Sequence, residues 1–159
     1  MAPPASIEVA TPFGRILLVS ADDRGIVASE FRSRPHGEAR HARYAHPLLR
    51  EVKKQVDAYF ARRLRRFDLP LHLEGTEFQV AIWRLVAQLE AGELISYGEV
   101  AQAIGRPLSH RGVAAAMGAT PLALFIPAHR VVGSDGRIKG AAGNSMRRRL
   151  LKFEGIAIR

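Results

Sequence analysis

The chain has 159 residues, 47% of them hydrophobic, which is enough for a substantial core; no apolar run approaches the ~18 residues that span a bilayer, so no membrane-spanning helix is expected. It contains no cysteine, which excludes disulfides, thiolate metal sites and a thiol nucleophile. The formal net charge of +9 is concentrated between Arg106 and Lys152, where nine basic residues stand against Asp135 alone, and this points to a polyanionic partner.

Met1 to Ser6 has neither the charged start nor the apolar centre of a signal peptide, so a cytoplasmic protein is expected. Residues Ile7 to Phe31 alternate like paired strands: Arg15 to Ser20, a turn at Ala21 to Gly25, then Ile26 to Phe31, a β-hairpin. Pro35 to His46 is polar and reads as a loop; His36, His41 and His46 lie five apart in it without ligand spacing, so neither metal nor cofactor is expected. From Pro47, apolar residues at Leu48, Leu49, Val52, Val56, Tyr59 and Phe60 predict a helix to about Arg62. Phe67 to Leu73 reads as a short strand leading to a linker at Glu74-Gly75. Residues 1–74 are therefore expected to form a small α/β domain, and 75–159 a second, mainly helical one, an α+β chain overall.

The second region opens on Thr76 and Gln79, a capping-box pair, followed by an apolar face of Phe78, Ile82, Leu85, Val86 and Leu89. A second box, Ser96 with Glu99, starts a short helix through Ile104, which Gly105-Arg106-Pro107 ends, and Ser109 is placed to cap a third helix from Arg111 to about Gly118. Helix, tight turn, helix is the helix-turn-helix pattern that carries its second element into a DNA groove. That helix is nearly bare: Gly112, Ala115 and Ala116 permit close backbone approach but read no bases, so binding should follow shape and phosphate rather than sequence. The same small residues also permit tight packing on a neighbouring helix, the role expected for about half of them. Leu122 to Ile126 is a buried run ending at Pro127; Val131 to Ile138 reads as strand and turn, and Ser145 as the cap of a last helix, Met146 to Phe153, with Leu150, Leu151 and Phe153 inward.

Between these last elements lies Ile126-Pro127-Ala128-His129-Arg130-Val131-Val132, which resembles the Pro-Cys-His-Arg-Val signature of the O6-alkylguanine-DNA alkyltransferases, with alanine in place of the nucleophilic cysteine. Thr11-Pro12-Phe13-Gly14, His46-Pro47-Leu48-Leu49, Gly75 to Gln79, Ile95 to Ala101 and Ile104 to Pro107 resemble that family in the same order, so the likeness covers essentially the whole chain. It implies a small N-terminal α/β domain before a DNA-binding domain, a monomeric protein, and double-stranded DNA carrying O6-alkylguanine as partner. By resemblance, Arg111 is the finger that fills the gap left by a flipped nucleotide, and Tyr97 the residue that crowds the 3′ phosphate. Gly112, Ala115, Ala116 and Arg130 join them as candidate DNA contacts, Arg130 also reading as a structural ion-pair member. His129 and Glu154 match the pair that activates the family's cysteine, here with no thiol to act on. The lesion pocket implied is Tyr97, Pro127, Ala128, Val131 and the loop with Gly140, Ala141 and Ala142.

Ala141 stands where the family usually carries a tyrosine, and Thr120 where an asparagine precedes the proline. A nucleophile replaced on purpose predicts one anomaly; loss of alkyl transfer predicts drift around the pocket, and three positions have drifted. The chain therefore reads as an alkyltransferase-like lesion sensor that hands the site to other machinery, nucleotide excision repair proteins being what the resemblance suggests. The alternatives are an inactive Cys-to-Ala form of a suicidal methyltransferase, a hydrolase using His129 and Glu154 on a flipped nucleotide, and a helix-turn-helix regulator.

Overall fold

The structure, a computed structural model, describes residues 5–33, 46–138 and 144–157. Two compact units are present: Met1–Glu74 together with Pro121–Phe125, and Gly75–Thr120 together with Ile126–Arg159. The run Pro121–Phe125, assigned from the sequence to the second region, thus belongs by its contacts to the first.

The first unit is a three-stranded antiparallel sheet, β1 (Ala5–Ala10), β2 (Ile16–Ala21) and β3 (Ile26–Arg32), in the order β1-β2-β3, so the expected hairpin gains a third strand. Alternation buries Ile7, Val9, Leu17 and Val19, on which helix α1 (Pro47–Phe60) lays Leu49, Val52, Val56 and Tyr59. The ladder slips where Ala21 pairs Ile26 but Ser20 pairs Ala28, a bulge that shifts the buried phase from Ile26 to Ser29. His46 belongs to the helix rather than to a loop: its Nδ1 accepts from the Leu49 N–H at 3.4 Å. The helix stops at Phe60, short of Arg62, because Arg62 adopts φ 62° and the Arg63 N–H reaches back to the Ala58 carbonyl, a left-handed terminator made without glycine.

Phe67 to Leu73 is not a strand. It meets the sheet through a single bridge, Leu71 to Ile26, in which the Ile26 N–H donates to the Pro70 carbonyl and the His72 N–H donates to the Ile26 carbonyl, each at 2.9 Å. Pro70 has no N–H to continue a ladder, and the approach is so close that a Cβ on Gly25 would sit 2.6 Å from the Pro70 oxygen. A second parallel bridge covers β3 at Ser29: its N–H donates to the Pro121 carbonyl at 3.1 Å, its hydroxyl to the Ala123 carbonyl at 2.7 Å, and its own carbonyl accepts from the Ala123 N–H at 3.1 Å. Leu122 and Phe125 are thereby buried; between them Leu124 is held at φ 74°, closed by the Phe125 N–H on the Ala123 carbonyl.

The second unit contains α2 (Glu77–Ala87), α3 (Tyr97–Ala103), α4 (His110–Gly118) and α5 (Asn144–Phe153), with a two-stranded parallel ladder of β4 (Ile95–Ser96) and β5 (Val131–Val132). Both capping boxes read from the sequence are made: Thr76 with Gln79, and Ser96 with Glu99, each side chain bonded to the other residue's N–H. Ser109 does not cap α4 through its side chain. Its backbone sits at φ −98°, ψ 30°, inside a turn closed by its own N–H on the Arg106 carbonyl, and the helix begins one residue early at His110. The last helix begins at Asn144, which places Ser145 within it rather than at its cap, and Phe153 is only half-buried beside fully buried Leu150 and Leu151. No helix among the described residues is long and apolar enough to cross a membrane.

Candidate functional site

Helix α4 sorts its small residues by face. Val113, Ala116 and Met117 are buried, whereas Arg111, Ala115 and Gly118 form an exposed stripe at i, i+4 and i+7 spacing. Ala116 is therefore not available to a groove: its carbonyl accepts from the Trp83 Nε1–H at 2.9 Å, in a contact the sequence reading had not found. Gly112 also serves packing, since a Cβ there would lie 3.1 Å from the Phe78 ring. Of the four α4 residues expected to meet DNA, Arg111 and Ala115 face outward, while Gly112 and Ala116 let α2 and α4 close on each other.

The signature stretch forms a 3-10 helix, Ala128–Arg130, entered through the Ala128 N–H on the Ile126 carbonyl at 2.7 Å and left through β5. Pro127, Ala128 and Val131 are buried, with Ala128 8% exposed. Its two successors converge on Glu154 at the end of α5. His129 Nε2 lies 2.7 Å from Oε2; Arg130 donates from Nε to Oε1 at 2.9 Å and from Nη2 to Oε2 at 2.8 Å; and the Gly92 N–H reaches Oε1 at 3.2 Å. Arg130 further donates from Nη1 to the Leu89 carbonyl at 2.7 Å. With 2% exposure and its guanidinium taken up on two sides, Arg130 is a structural ion pair and not a DNA contact.

These contacts set the protonation states. Burial pushes the Glu154 carboxyl up, but the hydrogen bonds and charge of His129 and Arg130 outweigh it and hold the group well below the usual carboxylate range. Burial pushes the His129 imidazole below its ordinary value; Glu154 pulls the other way, and Arg130 and Arg147 add to the lowering. An ionised Glu154 only accepts, so neutral His129 carries its proton on Nε2 and keeps Nδ1 as the basic nitrogen. A positioned base is present, with a methyl group beside it in sequence.

Tyr97, the first residue of α3, is 7% exposed. Burial raises its phenol pKa, and a hydrogen bond with Arg147 and that residue's charge offset part of the rise. Arg147 also approaches the Met117 carbonyl at 3.5 Å, so one α5 cation acts on Tyr97, on the end of α4 and, through its field, on His129. The sequence reading counted Arg147 only as one charge among nine; nothing local in Met146 to Arg149 distinguishes it from its neighbours. The Thr120 hydroxyl, at the asparagine position, is the one buried side-chain polar atom without a partner among the described residues. Gly140, Ala141 and Ala142 lie outside the described residues.

Comparison with known proteins gives consistent results. The family described as 6-O-methylguanine DNA methyltransferase, DNA binding domain, matches residues 77–156, and its ribonuclease-like domain matches residues 8–73. The methylated-DNA–protein-cysteine methyltransferase of Methanosarcina acetivorans is 42% identical over 109 residues, covering 68% of this chain and 70% of its own. That of Haemophilus influenzae is 34% identical over 150 residues, covering 92% and 83%. Mycobacterium tuberculosis OGT, crystallised in complex with DNA, superposes with a TM-score of 0.77 at 31% identity, covering 96% of this chain and 92% of that one.

Proposed function

Because the chain belongs to the O6-methylguanine DNA methyltransferase family and contains no cysteine, we propose that it is a DNA-repair protein that recognises O6-alkylguanine in duplex DNA without accepting the alkyl group. Alkyl transfer needs a thiolate to displace carbon from O6, and the Ala128 side chain has no lone pair. The observation that carries the reading is the network of His129, Arg130 and Glu154, intact at 2.7–2.9 Å around a position that cannot react.

In this reading the basic region between Arg106 and Lys152 gives salt-dependent affinity for the duplex, and the exposed stripe of α4 follows the minor groove. Arg111 takes the place of the extruded nucleotide: a planar cation can stack on the flanking bases and donate to the orphaned partner, offsetting part of an unstacking cost of a few kcal/mol. The base enters a pocket of Tyr97, Pro127, Ala128, Val131 and the Gly140 to Ala142 loop, with Tyr97 crowding the 3′ phosphate to promote flipping. Selection arises because an alkylated guanine pairs poorly and leaves the stack at lower cost, and alanines at 128 and 141 make room for bulky adducts. The lesion, left chemically unchanged, then passes to other repair proteins, nucleotide excision repair being the candidate.

Affinity for an O6-methylguanine duplex, measured against the undamaged duplex at equal salt, tests this: tighter binding to the lesion is expected, and equal affinities overturn it. The second reading, a methyltransferase disabled at a single position, accounts equally for the undisturbed network. Against it stands the unpartnered Thr120 hydroxyl, a second defect near the same turn. Ala128→Cys separates the two. Full transfer of a labelled methyl group favours single-site disablement, and its failure favours drift of the whole pocket.

A further inference from the structure

We propose that Leu108 is an apolar wedge that enters the minor groove beside the Arg111 finger, an inference that rests on the duplex-binding reading above. Leu108 is 92% exposed, whereas the next most exposed large apolar residue among those described, Leu94, is 43% exposed. A leucine in water is a standing loss of apolar burial, and an isolated one is unremarkable on most surfaces. This one is held rigidly. It is the third residue of the Arg106–Ser109 turn, closed by the Ser109 N–H on the Arg106 carbonyl at 3.0 Å. Upstream, Gly105 at φ 77° and the Arg106 N–H on the Ala101 carbonyl at 2.8 Å terminate α3. Arg106 is folded back, its guanidinium carbon 5.4 Å from the Phe78 ring centre, and the same ring packs on Gly112. The turn is thus clamped at both ends and Leu108 projects from its crest.

Its surroundings name the occupant. Arg106, His110 and Arg111 are exposed around it, and no acidic residue occurs from Pro107 to Ser134, which disfavours a basic-rimmed or purely apolar protein groove and suits a polyanion. Three residues of chain span at most ~11 Å, so Leu108 and Arg111 can act on base steps within about three of each other. Apolar side chains beside cations are the means by which minor-groove proteins unstack a step and kink the duplex. Leu108 would open the stack where Arg111 fills it, dividing between two side chains the work of extruding a nucleotide.

The test is Leu108→Ser and Leu108→Met, each titrated with O6-methylguanine duplex and undamaged duplex over a range of salt, with 2-aminopurine fluorescence reporting unstacking. For Leu108→Ser we expect affinity to fall roughly tenfold on both duplexes, the slope of log affinity against log salt to stay unchanged because no phosphate contact is lost, and the 2-aminopurine signal to drop. Leu108→Met should restore most of both. The melting temperature of the free protein should not fall, which separates the effect from misfolding. Unchanged binding by Leu108→Ser, or a changed salt slope, overturns the wedge. So does a change in oligomeric state of the free variant on sizing, which would assign the leucine to a second copy of the chain. Wild-type protein that binds neither duplex removes the DNA reading itself, whereas wild-type binding without lesion preference removes only lesion recognition and leaves the wedge to be judged by the variants.

Discussion

The Glu154 network and the Arg106–Ser109 turn are organised in opposite ways. Around Glu154 a side chain does the holding: one buried carboxylate collects an imidazole, a guanidinium and a backbone N–H. In the turn the backbone does the holding, and the side chains of Leu108, His110 and Arg111 point outward. The difference explains what a chain of this family can lose. None of the hydrogen bonds that hold the network involves the Ala128 side chain, but removing Glu154 or Arg130 strands a buried charge. The side chain at position 128 can therefore vary while the Glu154 network is retained by the stability of the fold.

Four measurements break or sharpen that contrast, in order of expected effect on stability. Glu154→Ala should cost about 3–5 kcal/mol by urea denaturation, since Arg130 loses its buried partner; a loss under about 1 kcal/mol would show that the network is not structural. Acid should act on the same groups. Glu154 is held below its ordinary 4.5 and His129 below its ordinary 6.5, so in both cases the unfolded chain binds more protons. Stability is then full above pH 6.5, declines as pH falls below that value through His129, and declines further below 4.5 through Glu154. Melts of wild type and His129→Gln from pH 4 to 8 should differ by loss of the upper step, with a smaller lower step because His129 is one of the groups that hold the Glu154 carboxyl down. Trp83→Phe should cost about 1 kcal/mol, because the Ala116 carbonyl it leaves still accepts from the Ala119 N–H at 3.2 Å. Arg111→Ala should change stability by less than about 0.5 kcal/mol yet weaken lesion-duplex binding far more than Arg148→Ala, which gel-shift titration reads directly.

The same contrast marks what the sequence disclosed. Capping boxes at Thr76 and Ser96 were legible because donor and acceptor are three residues apart, and the burial of the Leu122 to Ile126 run was legible from composition. Ser109 misled because serine before a helix satisfies the same pattern whether or not its backbone is extended. Phe67 to Leu73 misled because alternation cannot reveal that Pro70 faces the neighbouring strand. The pairing of His129 with Glu154 came from resemblance rather than from spacing. What no local pattern held were the long-range contacts: Trp83 on the Ala116 carbonyl, Arg130 on the Leu89 carbonyl and Arg147 on Tyr97. The α4 stripe was half-legible, since glycine and alanine look alike whether they admit a partner helix or a polyanion.

The excursion of Pro121–Phe125 into the first unit means that the two halves are not severable at a single cut. A fragment beginning at Gly75 keeps Leu122 and Phe125 but forfeits the strand that shelters them, and it retains a leucine at φ 74° whose turn has lost its bonds to Ser29. The complementary fragment ends with Ser29 lacking the carbonyls it bonds. Proteolysis or recombination near residue 74 should therefore yield sticky, partly unravelled pieces, because Pro121–Phe125 has its packing partner in the N-terminal sheet.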